Sequence, residues 1–267
     1  MTPPIFTPDG TEVEEVILPD GSEAAEVIAP DGTVVFEGVG GPALAIGGRD
    51  ADFDEHDTVY RLDNGSWSAI DPLPGARYLL AATQDAEGRP LAIAGLNGGI
   101  RDTVYRLADG SWSAIDPLPE VRASLGATQD AEGRPLAIGG QDGDGDIRDT
   151  VYRLDGGSWS AIDPLPEARR YLAATQDAEG RRLAIGGEDT DGDEHDTVYR
   201  LDDGSWSEID PLPEVRRSLA ATQDPDGRPL AIGGRNGGVR DTVYRLDGGS
   251  WSEIDPLPEV RALLAAT

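Results

Sequence analysis

The chain has 267 residues and a formal net charge of −29, with 51 acidic residues against 22 basic ones, all of them arginine. Such an acidic, lysine-free surface is typical of soluble proteins in molar salt, where counterions screen self-repulsion, so we expect the source to be an extreme halophile or a virus of one. The lack of a basic stripe argues against a nucleic-acid partner, and the lack of cysteine excludes disulfides, thiolate nucleophiles and cysteine-ligated zinc.

The first 40 residues form a segment distinct from the rest. They begin with Thr-Pro-Pro rather than a basic and apolar leader, so no export signal is expected, and no apolar run approaches the ~20 residues of a membrane span. Pro-Asp-Gly turns spaced 11 residues apart bound short runs at 11–17, 23–28 and 33–36, which predict a meander of about three strands. Because so small a sheet cannot bury its own core, we expect residues 1–40 to be a tether that assembles copies of the chain as a trimer or docks on a larger assembly.

From residue 43 to residue 267 one unit recurs five times. It is marked by tryptophans 45 or 47 residues apart, at Trp67, Trp112, Trp159, Trp206 and Trp251. Within a unit, runs such as 172–175, 183–185, 197–201 and 205–209 predict four short strands separated by Gly and Pro turns. The region starts on a second strand and ends on a first strand, so the last strand is expected to complete the first unit. The sequence therefore predicts an all-β fold, a five-bladed β-propeller with end-to-end strand closure.

The motifs of the unit point to a known family. A Gly-Gly doublet after an apolar strand, then Val-Tyr-Arg-Leu, a tryptophan and Pro-Leu-Pro-Glu-x-Arg recur over residues 43–267, and this pattern resembles the kelch repeat. The chain departs from the family in having five units instead of six or seven, and in Ala94-Gly95 at one doublet. The resemblance implies a propeller, a fold that hosts binding modules, sugar-acid isomerases and copper oxidases alike. A copper oxidase is excluded, since it requires cysteine and several histidines.

The loops after the second strands vary most between units and would all open on one face of a propeller. We expect this face to bind a ligand, with drift in unconstrained loops as the alternative. The candidate binding residues are Arg49, Asp52, Phe53, His56, Asn97, Gln141, Asp144, Asp191, His195, Arg235 and Asn236.

Two of these loops carry carboxylates at alternate positions, a spacing that suits Ca²⁺. The weak calcium candidates are Asp142, Asp144, Asp146, Asp189, Asp191 and Asp193. Neither loop has a distal bidentate glutamate, so solvated acidic loops are the favoured interpretation and no cofactor is expected. His56 and His195 lie in matching Glu-His-Asp triplets, and a solvated loop histidine is favoured over a zinc site that would need both to converge.

An arginine precedes each predicted first strand and would lie near the mouth of the central channel. These channel-mouth arginines are Arg77, Arg122, Arg169, Arg216 and Arg261, and Arg170 and Arg217 directly follow two of them. One interpretation is a site for an anionic glycan or carboxylate. The favoured one is pairing with linker acids such as Asp71 or Asp116, which would stabilise the blade junctions, because strict repetition is typical of structural residues.

The near-identity of the units leaves no odd residue to mark an active site, so the sequence predicts a protein that is not an enzyme. A repetitive propeller with variable loops is typical of adhesion, and its Asp-Gly-Thr-Glu-Val and Pro-Asp-Gly segments resemble tail proteins of haloarchaeal tailed viruses. We expect a virion tail fibre or receptor-binding component that contacts a host S-layer glycoprotein or glycan and binds other tail proteins through residues 1–40. The alternatives are a cytoplasmic or secreted kelch module that binds protein or carbohydrate, and a sugar-acid isomerase-like enzyme.

Overall fold

A computed structural model describes residues 5–6, 12–13, 44–49, 54–63, 66–260 and 262. The chain divides into two units, Met1–Ala43 and Leu44–Thr267. In the first unit, strands β1 (Ile5–Phe6) and β2 (Glu12–Val13) pair antiparallel. The strand predicted at 11–17 overlaps β2, whereas those predicted at 23–28 and 33–36 lie outside the described residues.

The described strands of the second unit form five antiparallel sheets, and strands that follow each other in sequence are neighbours in each sheet. Sheet 1 comprises β3 (Leu44–Arg49), β4 (Glu55–Asp63) and β5 (Ser66–Ile70). Sheet 2 comprises β6 (Ala81–Gln84), β7 (Pro90–Ile93), β8 (Val104–Ala108) and β9 (Ser111–Ile115). Sheet 3 comprises β10 (Gly126–Gln129), β11 (Pro135–Ile138), β12 (Val151–Asp155) and β13 (Ser158–Ile162). Sheet 4 comprises β14 (Ala173–Gln176), β15 (Arg182–Ile185), β16 (Val198–Asp202) and β17 (Ser205–Ile209), and sheet 5 comprises β18 (Ala220–Gln223), β19 (Pro229–Ile232), β20 (Val243–Asp247) and β21 (Ser250–Ile254).

These sheets are the blades of a five-bladed β-propeller, which confirms the predicted fold class. The first strands β6, β10, β14 and β18 lie side by side and form the inner wall, and the strands of blade 4 lie within one residue of their predicted positions. The strand predicted to close blade 1, at 263–267, lies outside the described residues. Within the part of the chain that the structure describes, no helix has the length and apolar character needed to cross a membrane.

The apolar side chains of the second and third strands fill the space between neighbouring blades. In blade 3, Leu136, Ile138 and Val151 are fully buried, and Leu165 of the following Pro-Leu-Pro linker is 2% exposed. The amide of Leu165 donates a hydrogen bond of 2.8 Å to the carbonyl of Asp149, so the linker is held against its own blade before the chain crosses to the next. The proline residues can occupy this linker because it needs no ladder hydrogen bonds.

Each tryptophan of blades 2 to 5 joins its blade to the preceding one. The indole Nε1 of Trp159, for example, donates a 3.1 Å hydrogen bond to the carbonyl of Asp116 in the preceding linker, and the same bond is made by Trp112, Trp206 and Trp251. In blade 1 the equivalent Trp67 is 54% exposed, and Tyr60 is 44% exposed where its counterpart Tyr152 is 7% exposed. Blade 1 therefore has an apolar side that the described residues leave uncovered.

Hydrogen bonds also run around the channel from blade to blade. The residue two positions before each of the first strands β6, β10, β14 and β18 has a left-handed φ of 52° to 57°. These residues, Leu79, Ser124, Tyr171 and Ser218, are called the mouth ring. The amides of Ser124, Tyr171 and Ser218 each donate to the preceding ring carbonyl at 2.8–2.9 Å. At the other end of the wall, the side chains of Gln129, Gln176 and Gln223 donate to main-chain carbonyls of the preceding blade at 3.1–3.2 Å.

Candidate functional site

The loops that follow the second strands lie on the same face as the mouth ring, because in an antiparallel meander the end of the second strand is beside the start of the first. Between the loops of blades 3 and 4 this face holds a cleft of about 450 Å³. Its walls are residues 145–148 of the blade 3 loop and residues 189–192 of the blade 4 loop, and Arg170 lies between them. We call this the loop cleft.

The blade 3 loop is organised by its first carboxylate. Oδ1 of Asp142 accepts hydrogen bonds of 3.0 Å from the amides of Asp144 and Asp146, and Oδ2 accepts from the guanidinium of Arg148. Burial opposes ionisation of Asp142, but these hydrogen bonds outweigh it and lower its pKa. The carboxylate thus stabilises the turn of its own loop.

The blade 4 loop has the same construction with a histidine in place of the arginine. Oδ1 of Asp189 accepts from the amides of Asp191 and Asp193 at 2.9 and 3.0 Å, and Nε2 of His195 lies 2.8 Å from Oδ2. The hydrogen bond with His195 is the main reason why the pKa of Asp189 falls to about 2. Asp189 is part of one wall of the loop cleft, and its carboxylate stays ionised.

These contacts give the alternating aspartates a structural explanation other than calcium. The same pattern, in which an aspartate accepts from the amides two and four residues ahead, occurs in the turns between first and second strands at Asp85, Asp130, Asp177 and Asp224. Among the described residues, no three acidic or histidine side chains are grouped as metal ligands. Asp144, Asp191 and Asp193 contribute their amides to the loops, and the calcium interpretation has no geometric support in this region.

Next to the loop cleft, charged side chains connect blades 3, 4 and 5. Arg170 donates to Oε1 of Glu188 at 2.5 and 3.0 Å and to Oε1 of Gln141 in blade 3 at 3.1 Å. Arg217 lies 2.8 Å from Glu194 and 3.2 Å from Glu188, whose side chain is only 9% exposed. The guanidinium carbons of Arg170 and Arg217 lie 5.2 and 5.7 Å from the ring centre of Tyr171. We call these residues the mouth network.

Two residues of this region, Arg148 and Glu188, were not among the predicted site residues, and Arg170 and Arg217 were noted only as neighbours of the repeated arginines. A signal for three of these four was present in the repeat. The position after the repeated arginine varies from unit to unit, and so does the first position of the loop after the second strand. In the structure these two positions pair in a short antiparallel bridge. The pairs are Tyr78 with Leu96, Ala123 with Gln141, Arg170 with Glu188, and Arg217 with Arg235. Variation at two positions that face each other is the signal that the sequence interpretation passed over.

The predicted channel-mouth arginines do not line an open mouth. Arg77 is 4% exposed, and Arg122, Arg169 and Arg216 are each 1% exposed. Arg122 illustrates the arrangement: its main chain bonds to Gly95 and Arg101 of blade 2, while its guanidinium reaches Thr150 of blade 3 at 2.7 Å and Glu120 at 2.8 Å. Each of these arginines therefore joins two blades. Arg261 lies outside the described residues.

The partners of these arginines differ from the linker aspartates favoured by the sequence interpretation. The linker carboxylates of Asp71, Asp116 and Asp210 instead accept hydrogen bonds from serine hydroxyls of the next blade at 3.1–3.3 Å. Arg122, Arg169 and Arg216 pair with a glutamate two residues earlier in the chain. Arg77 has Gly75 at that position, and burial lowers the pKa of Arg77.

The remaining predicted binding residues are spread around the same face. Arg49 is exposed at the end of β3, with its guanidinium 4.8 Å from the ring centre of Tyr78. The carbonyl of His56 accepts from the amide of Arg77 at 3.0 Å, and that of Asn97 accepts from the side chain of Arg101. The side chain of Asn236 donates to Glu214 at 3.1 Å, and Arg235 is exposed. Asp52 and Phe53 lie outside the described residues.

Comparisons with known proteins support the fold and not a family. No known protein family matches the sequence, and no curated protein matches it either. Among solved structures, one described as the structure of YjhT aligns with 85% of this chain and 87% of its own chain, with a TM-score of 0.67 and 17% sequence identity. Likeness at this level of identity shows a shared β-propeller fold. The kelch resemblance stays a prediction.

The prediction that the chain is not an enzyme is corrected by the same comparison, because the shared β-propeller fold is compatible with enzymatic activity as well as with binding. The prediction assumed that near-identical repeats cannot build an active site. The structure shows why that assumption was weak: equivalent loops place different groups beside the same carboxylate, namely Arg148 beside Asp142 in blade 3 and His195 beside Asp189 in blade 4. The fold fits a binding or structural role equally well.

Proposed function

We propose that the chain is a recognition module that binds its partner through the face carrying the variable loops, with the loop cleft at the centre of the contact. The observation that supports this most directly is the grouping of sequence differences. Units that are otherwise nearly identical differ in the loops after the second strands, and two of those loops form the walls of a cleft of about 450 Å³.

The groups in the loop cleft suit a polar ligand with hydroxyl groups. Asp191 and Thr190 are exposed on one wall, and Arg148 and Arg170 offer guanidinium donors on the other side. Carboxylates and guanidinium groups together can accept from and donate to neighbouring hydroxyls, which is how polar pockets recognise sugars. A glycan, free or attached to a surface glycoprotein, is therefore the ligand class that we propose.

We further propose that the module is the host-attachment component of a virus of halophilic archaea, carried on the virion and directed at an S-layer glycoprotein or glycan. The acidic, lysine-free composition and the short resemblance to tail-protein segments support this setting. Residues 1–40 would then join the module to other tail proteins or to further copies, as a trimer. A cytoplasmic location with a protein or carbohydrate partner is the alternative setting.

The experiment is a binding assay in molar KCl between purified full-length protein and isolated haloarchaeal cell envelopes, with and without deglycosylation. Thr190→Arg places a bulky cation on the wall of the loop cleft and should weaken envelope binding at least tenfold. Ala131→Arg adds the same side chain to an exposed turn on the opposite face and should bind like the wild type. Equal binding by the two variants would rule out the loop cleft as the contact.

A catalytic role for the same cleft is the second candidate, and the pair of His195 and Asp189 favours it. A carboxylate that stays ionised next to a histidine is an arrangement used to hold an imidazole in position for proton transfer. A sugar acid would be the substrate class, as in the isomerase-like alternative. Proton NMR of sugar acids incubated in heavy water with the wild type and with His195→Gln tests this: exchange or isomerisation by the wild type alone supports it, and equal spectra contradict it.

A further inference from the structure

The bridge pairs at the start of the first strands reveal an unusual feature of blade 5. Side chains directly opposite each other in such a bridge have Cβ atoms about 4.5–5.5 Å apart, so their charges interact. Blade 4 pairs Arg170 with Glu188, which is a favourable combination of opposite charges. Blade 5 pairs Arg217 with Arg235, and like charges directly opposite are destabilising.

The charge of Arg217 is already matched by neighbours in blade 4. Its Nε atom lies 2.8 Å from Glu194 and 3.2 Å from Glu188, and its guanidinium packs against Tyr171. Glu188 is also paired with Arg170, and Glu188 and Glu194 face each other in a bridge of the blade 4 loop. The carboxylates near the mouth ring are thus engaged by Arg170 and Arg217.

Arg235 has no such partner among the residues that the structure describes. Its side chain is exposed, and within the described ranges no hydrogen bond or ion pair involves its guanidinium, although its main chain is fixed by two hydrogen bonds with Arg217 at 2.8 and 3.1 Å. In a chain with a net charge of −29, an arginine held beside another arginine and without an ion pair among the described residues is a local exception.

The repeat also indicates which residue of the following unit would lie opposite Arg235. Arg170 and Arg217 each extend back to the first loop position of the preceding blade, to Gln141 and Glu188 respectively. By the same rule, the residue that would extend back to Arg235 is the one at the equivalent position of the next unit. That residue is Ala262, whose methyl group carries neither charge nor hydrogen-bonding capacity.

We propose that Arg235, supported by Arg217, binds an anionic oxygen group, the carboxylate of an acidic sugar or a phosphate ester, at the channel mouth of blade 5. A guanidinium presents paired N–H donors that match the geometry of carboxylate and phosphate, and a bound anion would relieve the repulsion between the two arginines. The inference rests on the proposed use of this face for binding, and it adds the chemistry of one subsite to that proposal.

The test is calorimetric titration of the full-length protein with sodium glucuronate, sodium phosphate and, as a neutral probe, glucose, all at one fixed chloride concentration. Arg235→Gln should weaken binding of the anion at least tenfold, whereas glucose should show no dependence on this residue. Arg101→Gln is the matched control, because Arg101 belongs to the equivalent loop of blade 2 but donates to the carbonyl of Asn97. Tighter binding of glucuronate than of phosphate would identify an acidic sugar as the source, and the reverse order would identify a phosphate ester.

A second variant separates a binding role from a structural one. Arg235→Glu restores in blade 5 the opposite-charge bridge seen in blade 4, so it should raise the melting temperature of the ligand-free protein while abolishing anion binding. A lower melting temperature, anion binding that survives in Arg235→Glu, or no anion binding by the wild type would each overturn the proposal. Anion binding without envelope binding would refute the proposed function alone, and envelope binding that is insensitive to Arg235→Gln would refute this inference alone.

Discussion

A glutamate at position 75 should stabilise the propeller. Arg122, Arg169 and Arg216 are each 1% exposed and pair with a glutamate two residues earlier, but the equivalent Arg77 follows Gly75 and has only neutral oxygen atoms and an aromatic ring as described partners. Burial also lowers the pKa of Arg77. The substitution Gly75→Glu would supply the missing carboxylate.

The structure also shows that the new side chain has room and a second partner. A Cβ at position 75 would meet only Nδ2 of Asn97, at 3.0 Å, which is the movable end of a side chain. In blade 5, the equivalent Asn236 donates to Glu214 at 3.1 Å while Glu214 lies 3.4 Å from Arg216. Gly75→Glu should reproduce this three-residue arrangement in blade 2.

The expected gain has two parts. Loss of glycine freedom in the unfolded chain contributes about 0.4–1 kcal/mol, where the backbone conformation is compatible. A hydrogen bond to a charged group contributes about 1.5–3 kcal/mol when buried, but the equivalent Glu120 is 52% exposed, which brings the pair toward the ~0–1 kcal/mol of exposed ion pairs. A total of about 0.4–2 kcal/mol should raise the melting temperature by about 1–8 °C for a propeller of this size.

Calorimetric melts in molar KCl would measure this, with Gly75→Gln as the control that removes glycine freedom and adds no charge. The glutamate variant should melt higher than the glutamine variant, and Asn97→Ala should reduce the difference. If the glutamine variant melts as high as the glutamate variant, Arg77 has no need of a counter-charge and the argument is refuted.

Three further outcomes follow from the structure. If a closed ring covers blade 1, Trp67→Ala should lower the free energy of unfolding as much as Trp159→Ala does, by about 3–5 kcal/mol. A wild-type melting temperature for Trp67→Ala would contradict closure. The hydrogen bond with Arg169 lowers the pKa of Glu167. The ionised carboxylate therefore stabilises the fold above its unfolded pKa, and this stabilisation is lost as pH falls through its folded pKa. In urea unfolding, Glu167→Gln should be less stable than the wild type at pH 7 and equally stable at strongly acidic pH. Dialysis from molar to millimolar salt should lower the melting temperature, because −29 charges are then unscreened, and a flat profile would argue against halophilic adaptation.

The fold was predictable because it depends on features that a repeat displays directly. The spacing of Trp67, Trp112 and the later tryptophans gives the length of a unit, and apolar runs between Gly and Pro turns give its strands, so the strand Ser205–Ile209 was placed correctly. Side-chain partners depend instead on which of several nearby groups a long side chain reaches. The five repeated arginines indicated that one contact recurs in every unit. They did not indicate that the partner of Arg122 would be Thr150 and not Asp116.

The candidate site was harder to predict because its contacts are made between residues from different parts of a unit. Alternating aspartates favour calcium when only spacing is considered, yet in the structure Asp142 and Asp189 are saturated by amides of their own loops and by Arg148 and His195. The pairing of Arg217 with Arg235 becomes visible only once the bridge between positions 18 residues apart is known. Two-residue relationships of this kind need coordinates.

The hydrogen bonds of the mouth ring bear on how the molecule would respond to a pulling force. The bond from Ser124 to Leu79 and the bond from Gln129 to Asp85 tie the same pair of inner strands at opposite ends. A force that separates these two blades therefore acts on both hydrogen bonds at the same time, so the bonds do not break one after the other. Neighbouring blades of the inner wall would then resist separation as one mechanical unit.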